Sequence, residues 1–270
     1  MPPVASHSVT LIIPSYNQPN CLRLMLEGVA RQEFQDFDIV VGDDGSDPDT
    51  FEVFDEFAQR GQFEVTTTTQ ADEGFRKGAA LNNAVRQARG DQLVFIDGDC
   101  IPYADMIRRH VEAFDPARYC VAGYVRLTLE QSQALTRERV AEGAHEHLAS
   151  AAQRRELSSI HWHNHLYRLT RKPRKPKVLG GNFSVGRELL YSINGFDNRF
   201  AGFSGEDSDI RNRLNNSGAR GTSLWNSAFV CHLDHALDER RTKASVLRTK
   251  DRGFIKENSR IARTPDGLER

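Results

Sequence analysis

Between residues 9 and 97, short apolar runs alternate with stripes of helical period. That alternation narrows the folds open to this chain more than any other feature. Val9-Thr10-Leu11-Ile12-Ile13, with Pro14 behind it, reads as a buried strand. Leu22, Met25, Leu26, Val29 and Ala30 then recur at the spacing of one helix face. Asp38-Ile39-Val40-Val41 is the next strand, and Phe51, Phe54, Phe57 and Ala58 mark a second helix closed by Gly61. Phe63 to Thr69, rich in Thr, reads as a strand. Ala80, Leu81, Ala84, Val85 and Ala88 form a third helical stripe, with Gly90 as the C′ residue that ends it. The run Leu93-Val94-Phe95-Ile96 is then a strand that stops at Asp97. This order predicts an α/β fold with a largely parallel sheet covered on both faces. Ligands of such sheets bind beyond the carboxyl ends of the strands. Ser15-Tyr16-Asn17, Asp43-Asp44 and Asp97 to Asp99 all fall at such ends.

The second half has a different texture. Tyr119 to Leu129 reads as a strand, Glu130 to Leu157 as polar helix, and Thr222 to Leu233 as a final strand. A helix is expected from Gly205-Glu206-Asp207-Ser208-Asp209 to Asn216, with carboxylates in its first turn. No linker cuts the chain, so one domain over 1–240 is expected, with halves at 8–128 and 129–240 and a polar tail over 241–270. The net charge of −1 gives no basic field for nucleic acid. The four cysteines form no CxxC pair, which supports neither a zinc site nor a disulfide framework. With no signal pattern and no long apolar span, the expectation is a soluble, cytoplasmic chain.

Asp97-Gly98-Asp99-Cys100 offers two carboxylates one residue apart at the mouth of a buried strand. They can aim oxygen at Mn²⁺ or Mg²⁺, hard cations that often hold a substrate diphosphate at their open positions. A strand-ending turn uses the same residue types. Asp99 is the better-placed ligand, and Asp97 is open to a ribose hydroxyl or a metal-bound water. His232 or His235 would add an imidazole and favour Mn²⁺, while both also suit an ordinary loop. Asp43 and Asp44 can accept from a base N–H or a ribose hydroxyl, or cap a helix together with Ser46. Arg76 and Lys77 can neutralise phosphates, although Lys77 reads as solvated surface charge. Glu206 or Asp207 can take a proton from an attacking hydroxyl, or complement a helix dipole.

Together these stretches resemble a known family. Thr10 to Asn17, Val41 to Ser46 and Asp97-Gly98-Asp99 look like the nucleotide-sugar half of family 2 glycosyltransferases with the GT-A fold. Gly74 through Arg76, Asn82 and Asn83 to Asp99 is similar to bacterial chondroitin-polymerase-type transferases. Gly180 to Ser184, Asn194 to Asp197 and Gly202 to Leu214 resemble the C-terminal segment of β-1,4-galactosyltransferases, with Phe203 and Ser204 where tryptophans are usual. The resemblance implies a Rossmann-like nucleotide-binding half with a mixed central sheet. It implies Asp44, with Asp43, on uracil, Arg76 near base or diphosphate, Asp97 on ribose and Asp99 on the metal. Asp207 would be the catalytic base and Glu206 would hold acceptor or donor sugar. Pro14, Tyr16, Asn17, Asn82 and Gly181, in the matching motifs, join the donor-binding set, and His232 fits the late metal ligand better than His235.

The implied activity is metal-dependent, inverting transfer of a hexose or N-acetylhexosamine from a UDP-sugar to a glycan or lipid-linked glycan, in bacterial surface polysaccharide or lipopolysaccharide synthesis. The basic stretch from Arg168 to Lys177 suits either contact with the cytoplasmic face of the inner membrane or a solvated acceptor loop. Trp162, with His161, His163 and His165, offers a sugar-stacking edge. A nucleotidyltransferase is the alternative enzyme class, but it would carry a Gly-rich basic loop where this chain has Pro14-Ser15-Tyr16-Asn17. A non-catalytic binding module would not need Glu206-Asp207.

Overall fold

The computed structural model describes residues 7–170, 175–200, 205–234 and 259–269, with the side chain of Arg168 excepted. The elements run β1 (Val9–Ser15), α1 (Pro19–Ala30), β2 (Asp38–Asp43), α2 (Pro48–Ala58), β3 (Val65–Thr69), α3 (Lys77–Gln87), β4 (Gln92–Phe95), β5 (Cys100–Pro102) and α4 (Met106–Glu112). They continue with β6 (Arg118–Arg126), α5 (Leu129–Gln133), α6 (Arg137–Ala141), a 3₁₀ turn (Ala144–His147), α7 (Ala151–Leu169), β7 (Phe183–Gly186), α8 (Arg187–Ser192), α9 (Glu206–Asn216) and β8 (Arg220–His232). The strands make one eight-stranded sheet in the order β3-β2-β1-β4-β7-β6-β8-β5. β1 to β4 pair in parallel, β7 runs antiparallel between β4 and β6, and β5 is antiparallel to β8.

The unbroken apolar strands have a direct cause. Successive residues of a strand face opposite sides of the sheet, and here both sides are covered. Ile12, Val40, Leu93 and Phe95 face one core with Leu81, Ala84 and Val85 of α3. Leu11, Ile13, Ile39, Val41 and Val94 face the other core with Leu22, Met25 and Val29 of α1 and Phe54 and Phe57 of α2. The parallel half thus follows the reading from periodicity.

Three expectations need correction. Gly90 is not a left-handed helix cap. Ala88, which ends α3, is already extended, and Gly90 presses on β1, where an added Cβ would lie 2.5 Å from the Thr10 nitrogen. The helix expected from Glu130 to Leu157 is broken into short pieces. Thr128 forms a capping box with Gln131, Thr136 caps α6, and Gly143 turns the chain at a φ of 84°. Part of the segment assigned to a polar tail packs on the domain: Leu268 is buried in the core, and Arg86 donates to the carbonyls of Gly267 and Leu268. Among the described residues, no helix is long and apolar enough to cross a membrane.

α9 is docked by the buried Arg213, which bonds the segment before the helix and is held in place by Asp209 one turn earlier on the same helix. Arg213 Nε donates to Asp209 Oδ2 at 2.7 Å, and Nη1 donates to the carbonyls of Ile193 and Gly195 at 2.8 and 2.7 Å. Arg213→Met therefore removes a cation from the buried Asp209 carboxylate and a donor from the Ile193 and Gly195 carbonyls, at an expected loss of about 3–5 kcal/mol. Asp209→Leu/Arg213→Met removes both charges and should regain most of that loss. Urea unfolding checks both variants, and a single variant as stable as the unaltered chain refutes the role given to the pair.

Candidate active site

A cleft of about 780 Å³ opens beyond the carboxyl ends of β1, β2 and β4. Pro14, Tyr16, Asn17 and Asp44 line it from the parallel half, with Asp97 and Asp99 in the loop after β4. Glu206 and Asp207 reach it from the start of α9, and His232 from the end of β8. Nine residues named from the sequence thus meet in one cavity.

Four others do not line it, and each has a different task. Asp43 makes the turn after β2, its Oδ2 accepting from the backbone nitrogens of Gly45 and Ser46 at 3.0 and 2.9 Å. The turn leaves Asp44 beside the cleft, where its carboxylate accepts from Gln70 Nε2 at 2.7 Å and from the Arg76 backbone nitrogen at 2.8 Å. The Arg76 guanidinium is turned to Ala71 O and Glu73, so it braces the loop before α3. Asn82 is fully buried on α3 and bonds Phe196 O, Phe196 N and Asn198 Oδ1 at 2.8, 2.9 and 2.8 Å. It ties α3 to the segment before α9 and is not a cleft residue. Gly181 donates to the Tyr124 hydroxyl at 2.7 Å, and an added Cβ there would lie 2.7 Å from Asp97 Oδ2. Gly202, Phe203, Ser204 and His235 lie outside the described residues.

Lys77 is the largest correction to the sequence reading. It is not solvated surface charge: it lines the cleft and donates from Nζ to Asp97 Oδ1 at 2.5 Å. Burial alone would lower its pKa, but the charges of Asp97, Asp207 and Glu206 outweigh that and hold it above the usual lysine range. Its placement at the first position of α3 is a tertiary fact; the only local signal is its position just ahead of the stripe that starts at Ala80. Tyr124 was also missed. It shares a face of β6 with Arg126, which likewise lines the cleft, as period-two alternation allows.

The donors for a cation come from the β5–β8 register, which sets Cys100 opposite His232 and so brings Asp99 beside the imidazole. Asp99 Oδ2 and His232 Nε2 are 3.7 Å apart. Two ligands of one cation, each at about 2.1 Å, can be at most about 4.2 Å apart, so the pair fits. One carboxylate oxygen and one imidazole nitrogen suit Mn²⁺ or Mg²⁺ completed by substrate oxygens. Cys100 Sγ is part of the same cluster, all of whose donor atoms lie within 4.8 Å of one another. Burial and the neighbouring Asp99 push its thiol well above the usual range, and Sγ donates to Asp99 Oδ1 at 3.4 Å. It orients the carboxylate as a neutral thiol. Asp97 does not join this cluster; its partner is Lys77.

At the start of α9, Asp207 Oδ2 accepts from the Gly180 backbone nitrogen at 2.9 Å. Burial raises its pKa, against the pull of Lys77. Glu206 is 7 % exposed, and its Oε2 has no partner among the described residues. Burial and the adjacent Asp207 push its carboxyl up to about 7. Both acids at the start of α9 thus hold their protons more tightly than free carboxyls do. Trp162 is 67 % exposed on α7 and is not part of this cleft, so it is no sugar-stacking edge of it.

Residues 10–182 match the family model described as glycosyl transferase family 2, and residues 160–236 match the one described as the N-terminal domain of galactosyltransferase. The chain is similar to validoxylamine A glucosyltransferase of Streptomyces hygroscopicus subsp. jinggangensis, at 27 % identity over 231 residues, 81 % of this chain and 54 % of that protein. It is also similar to chondroitin synthase of Escherichia coli, at 23 % identity over 226 residues, 78 % of this chain and 32 % of that protein. The chain spans about a quarter to a half of the length of the first curated relatives it matches, from 26 to 54 %. Among solved structures it is similar to the mannosyltransferase of Pyrobaculum calidifontis in complex with GDP-Man and Mn²⁺, with a TM-score of 0.60, 17 % identity, and coverage of 94 % of this chain and 69 % of that one. The Staphylococcus aureus protein TarS in complex with UDP-GlcNAc gives a TM-score of 0.58 at 16 % identity, covering 86 % of this chain and 60 % of that one. At such identities the likeness establishes the fold, which is the expected GT-A architecture. With a family match over most of its length and this fold, the chain belongs to glycosyl transferase family 2.

Proposed function

We propose that this chain is a metal-dependent, inverting glycosyltransferase that moves a hexose or N-acetylhexosamine from a UDP-sugar to a hydroxyl of a glycan or lipid-linked glycan, in the building of a bacterial surface polysaccharide or lipopolysaccharide. The observation that carries it is a convergence. Asp44, Asp97 and Asp99 from the strand ends open into the same cleft as the buried Glu206 and the half-buried Asp207. Nucleotide sugars and Mn²⁺ in the complexes of fold neighbours agree with this reading.

In this reading Asp44 accepts from the uracil and Asp97, held by Lys77, from the ribose. Pro14, Tyr16 and Asn17 form the wall at the end of β1. Asp99 and His232 would hold Mn²⁺ or Mg²⁺, which when bound supplies positive charge against the departing diphosphate. Asp207 takes the proton of the acceptor hydroxyl as its oxygen bonds to the anomeric carbon and the bond from that carbon to the UDP oxygen breaks. Burial makes the Asp207 carboxylate a stronger base, and the Lys77 charge offsets part of that rise. Glu206, with an oxygen unpartnered among the described residues, accepts from a sugar hydroxyl.

UDP release from a panel of UDP-sugars, with and without Mn²⁺, tests the reaction; no release from any of them with metal and glycan acceptors present rejects it. Asp207→Asn should lower turnover by about 10²–10⁴ while leaving calorimetric UDP–Mn²⁺ affinity nearly unchanged. Near-normal transfer by that variant removes Asp207 from the role of base. Asp99→Ala and His232→Ala should instead weaken Mn²⁺-dependent UDP binding, and unaltered affinity in both would empty the metal assignment.

Glu206 also links the site to stability. With a carboxyl raised from 4.5 to about 7, the folded chain holds this proton more tightly than the unfolded chain does. Stability from this group is therefore present at low pH and is lost as pH rises from about 4.5 through 7. Glu206→Gln removes the cost of the buried charge. It should stabilise the chain by about 3–4 kcal/mol at pH 8 and by little near pH 4.5, a range set by roughly 1.4 kcal/mol per pKa unit. Denaturant melts at the two pH values compare them; an equal effect at both contradicts the assignment.

A further inference from the structure

Among the described residues four large apolar side chains are exposed, and three of them lie on α7: Trp162 (67 % exposed), Leu166 (53 %) and Leu169 (67 %). Their spacing of four and three residues puts them on one side of the helix. The other side holds the helix to the sheet. Leu157 and Asn164 are buried there, Ile160 is half-buried, and α7 packs along β8. The stripe therefore points away from the core, and folding does not account for it. The cleft does not account for it either, since none of the three lines that cavity.

Charge indicates what covers it. From Leu157 to Arg187 the sequence has no Asp or Glu and seven Lys and Arg, in a chain whose net charge is −1. Exposed Arg155 sits two turns before Trp162 on the same side of the helix. A second copy of the chain would bring cations such as Arg155 beside this stripe against their own like. An anionic bilayer attracts each of these cations, and apolar residues beside Lys and Arg compose a helix that lies in a membrane interface.

We propose that α7 is a docking surface for an anionic phospholipid bilayer, entered by Trp162, Leu166 and Leu169. Lys175 lies 5.4 Å from the centre of the Tyr167 ring, and Lys177, two residues further, lines the cleft. The docked face is thus close along the chain to the cavity, which suits an acceptor carried on lipid. That corollary rests on the proposed transfer reaction; the docking itself does not, and its failure would leave the chemistry of the cleft untouched.

Sedimentation of the whole chain with vesicles tests this, using phosphatidylcholine alone and phosphatidylcholine with about one third phosphatidylglycerol. The anionic vesicles should carry down more than tenfold more chain at low salt, and raising salt to about 0.5 M should release it. Trp162→Ser/Leu166→Ser/Leu169→Ser should reduce binding more than tenfold, with the far-ultraviolet spectrum unchanged. A second readout needs no variant. Of the two tryptophans, Trp225 is 9 % exposed, so a blue shift of emission on adding anionic vesicles reports Trp162. Absence of sedimentation at low salt, an unmoved emission maximum, or equal binding by the triple variant overturns the proposal. A stripe-dependent dimer in ultracentrifugation without vesicle binding also overturns it, and assigns the stripe to a second copy.

Discussion

Like charges crowded into one partly buried site are the constraint around which this domain is arranged. Asp97 raises the cost of ionising Glu206 and Asp207, Asp207 raises it further for Glu206, and Lys77 is the cation that meets all three. Such a cluster opposes its own assembly, so the surrounding structure has to impose it. Lys77 is fixed by the first turn of α3, which Asn82 ties to the segment before α9. α9 is anchored in turn by Arg213 on Asp209 and on two carbonyls. The arrangement in the cleft is held by a buried guanidinium and a buried amide, neither of which lines it. Strain concentrated at a site and offset elsewhere is the pattern expected where chemistry needs charges that folding alone would not keep together.

The parallel half was legible because its signal is local. A strand buried on both faces must be apolar throughout, and a helix that covers it must repeat at helical spacing, so β1, α1, β2, α2 and α3 can be read one at a time. β5 and β7 were not legible in that way. Cys100 to Pro102 is three residues long and exists as a strand because β8 lies beside it. Phe183 to Gly186 is held between β4 and β6 by pairing with both. The pieces between Thr128 and Ala151 depend on caps that a polar helix reading passes over.

The same division runs through the site. Asp44, Asp97 and Asp99 follow recognisable strands, so the strand-end rule finds them. Glu206 and Asp207 open a recognisable helix. Asp43, a carboxylate, and Asn82, an amide, also lie in the matching motifs, yet they face a turn and the segment before α9. A motif identifies a segment; which member of it turns toward the cavity depends on backbone direction. Lys77 shows the reverse failure. A lysine at a helix start is commonly solvated, and it is Asp97 after β4, with the acids at the start of α9, that makes Lys77 a half-buried counter-charge. The pairing of Asp99 with His232 likewise needs the antiparallel β5–β8 register, which no local pattern encodes.

Gly180 and Gly181 show why the two halves can share one site. They precede β7, the strand that joins the parallel half to the mixed half of the sheet. An added Cβ on Gly180 would lie 2.6 Å from Asp207 Oδ1, and one on Gly181 would lie 2.7 Å from Asp97 Oδ2. Two adjacent backbone units thus have a carboxylate from α9 against one and a carboxylate from the β4 loop against the next. Their nitrogens are both used, toward Asp207 and toward the Tyr124 hydroxyl. A side chain at either position would push one acid out of the cleft. Behind them, Asn182 is fully buried and donates to the carbonyls of Gly123 and Ala228, while its oxygen is within hydrogen-bonding distance of His110. Burial lowers the pKa of His110 to about 4, so the ring meets Asn182 uncharged at neutral pH. The glycines give the acids room, and the asparagine fixes the glycines. In the proposed reaction, that seam sets the distance between the carboxylate that holds the ribose and the carboxylate that takes the proton.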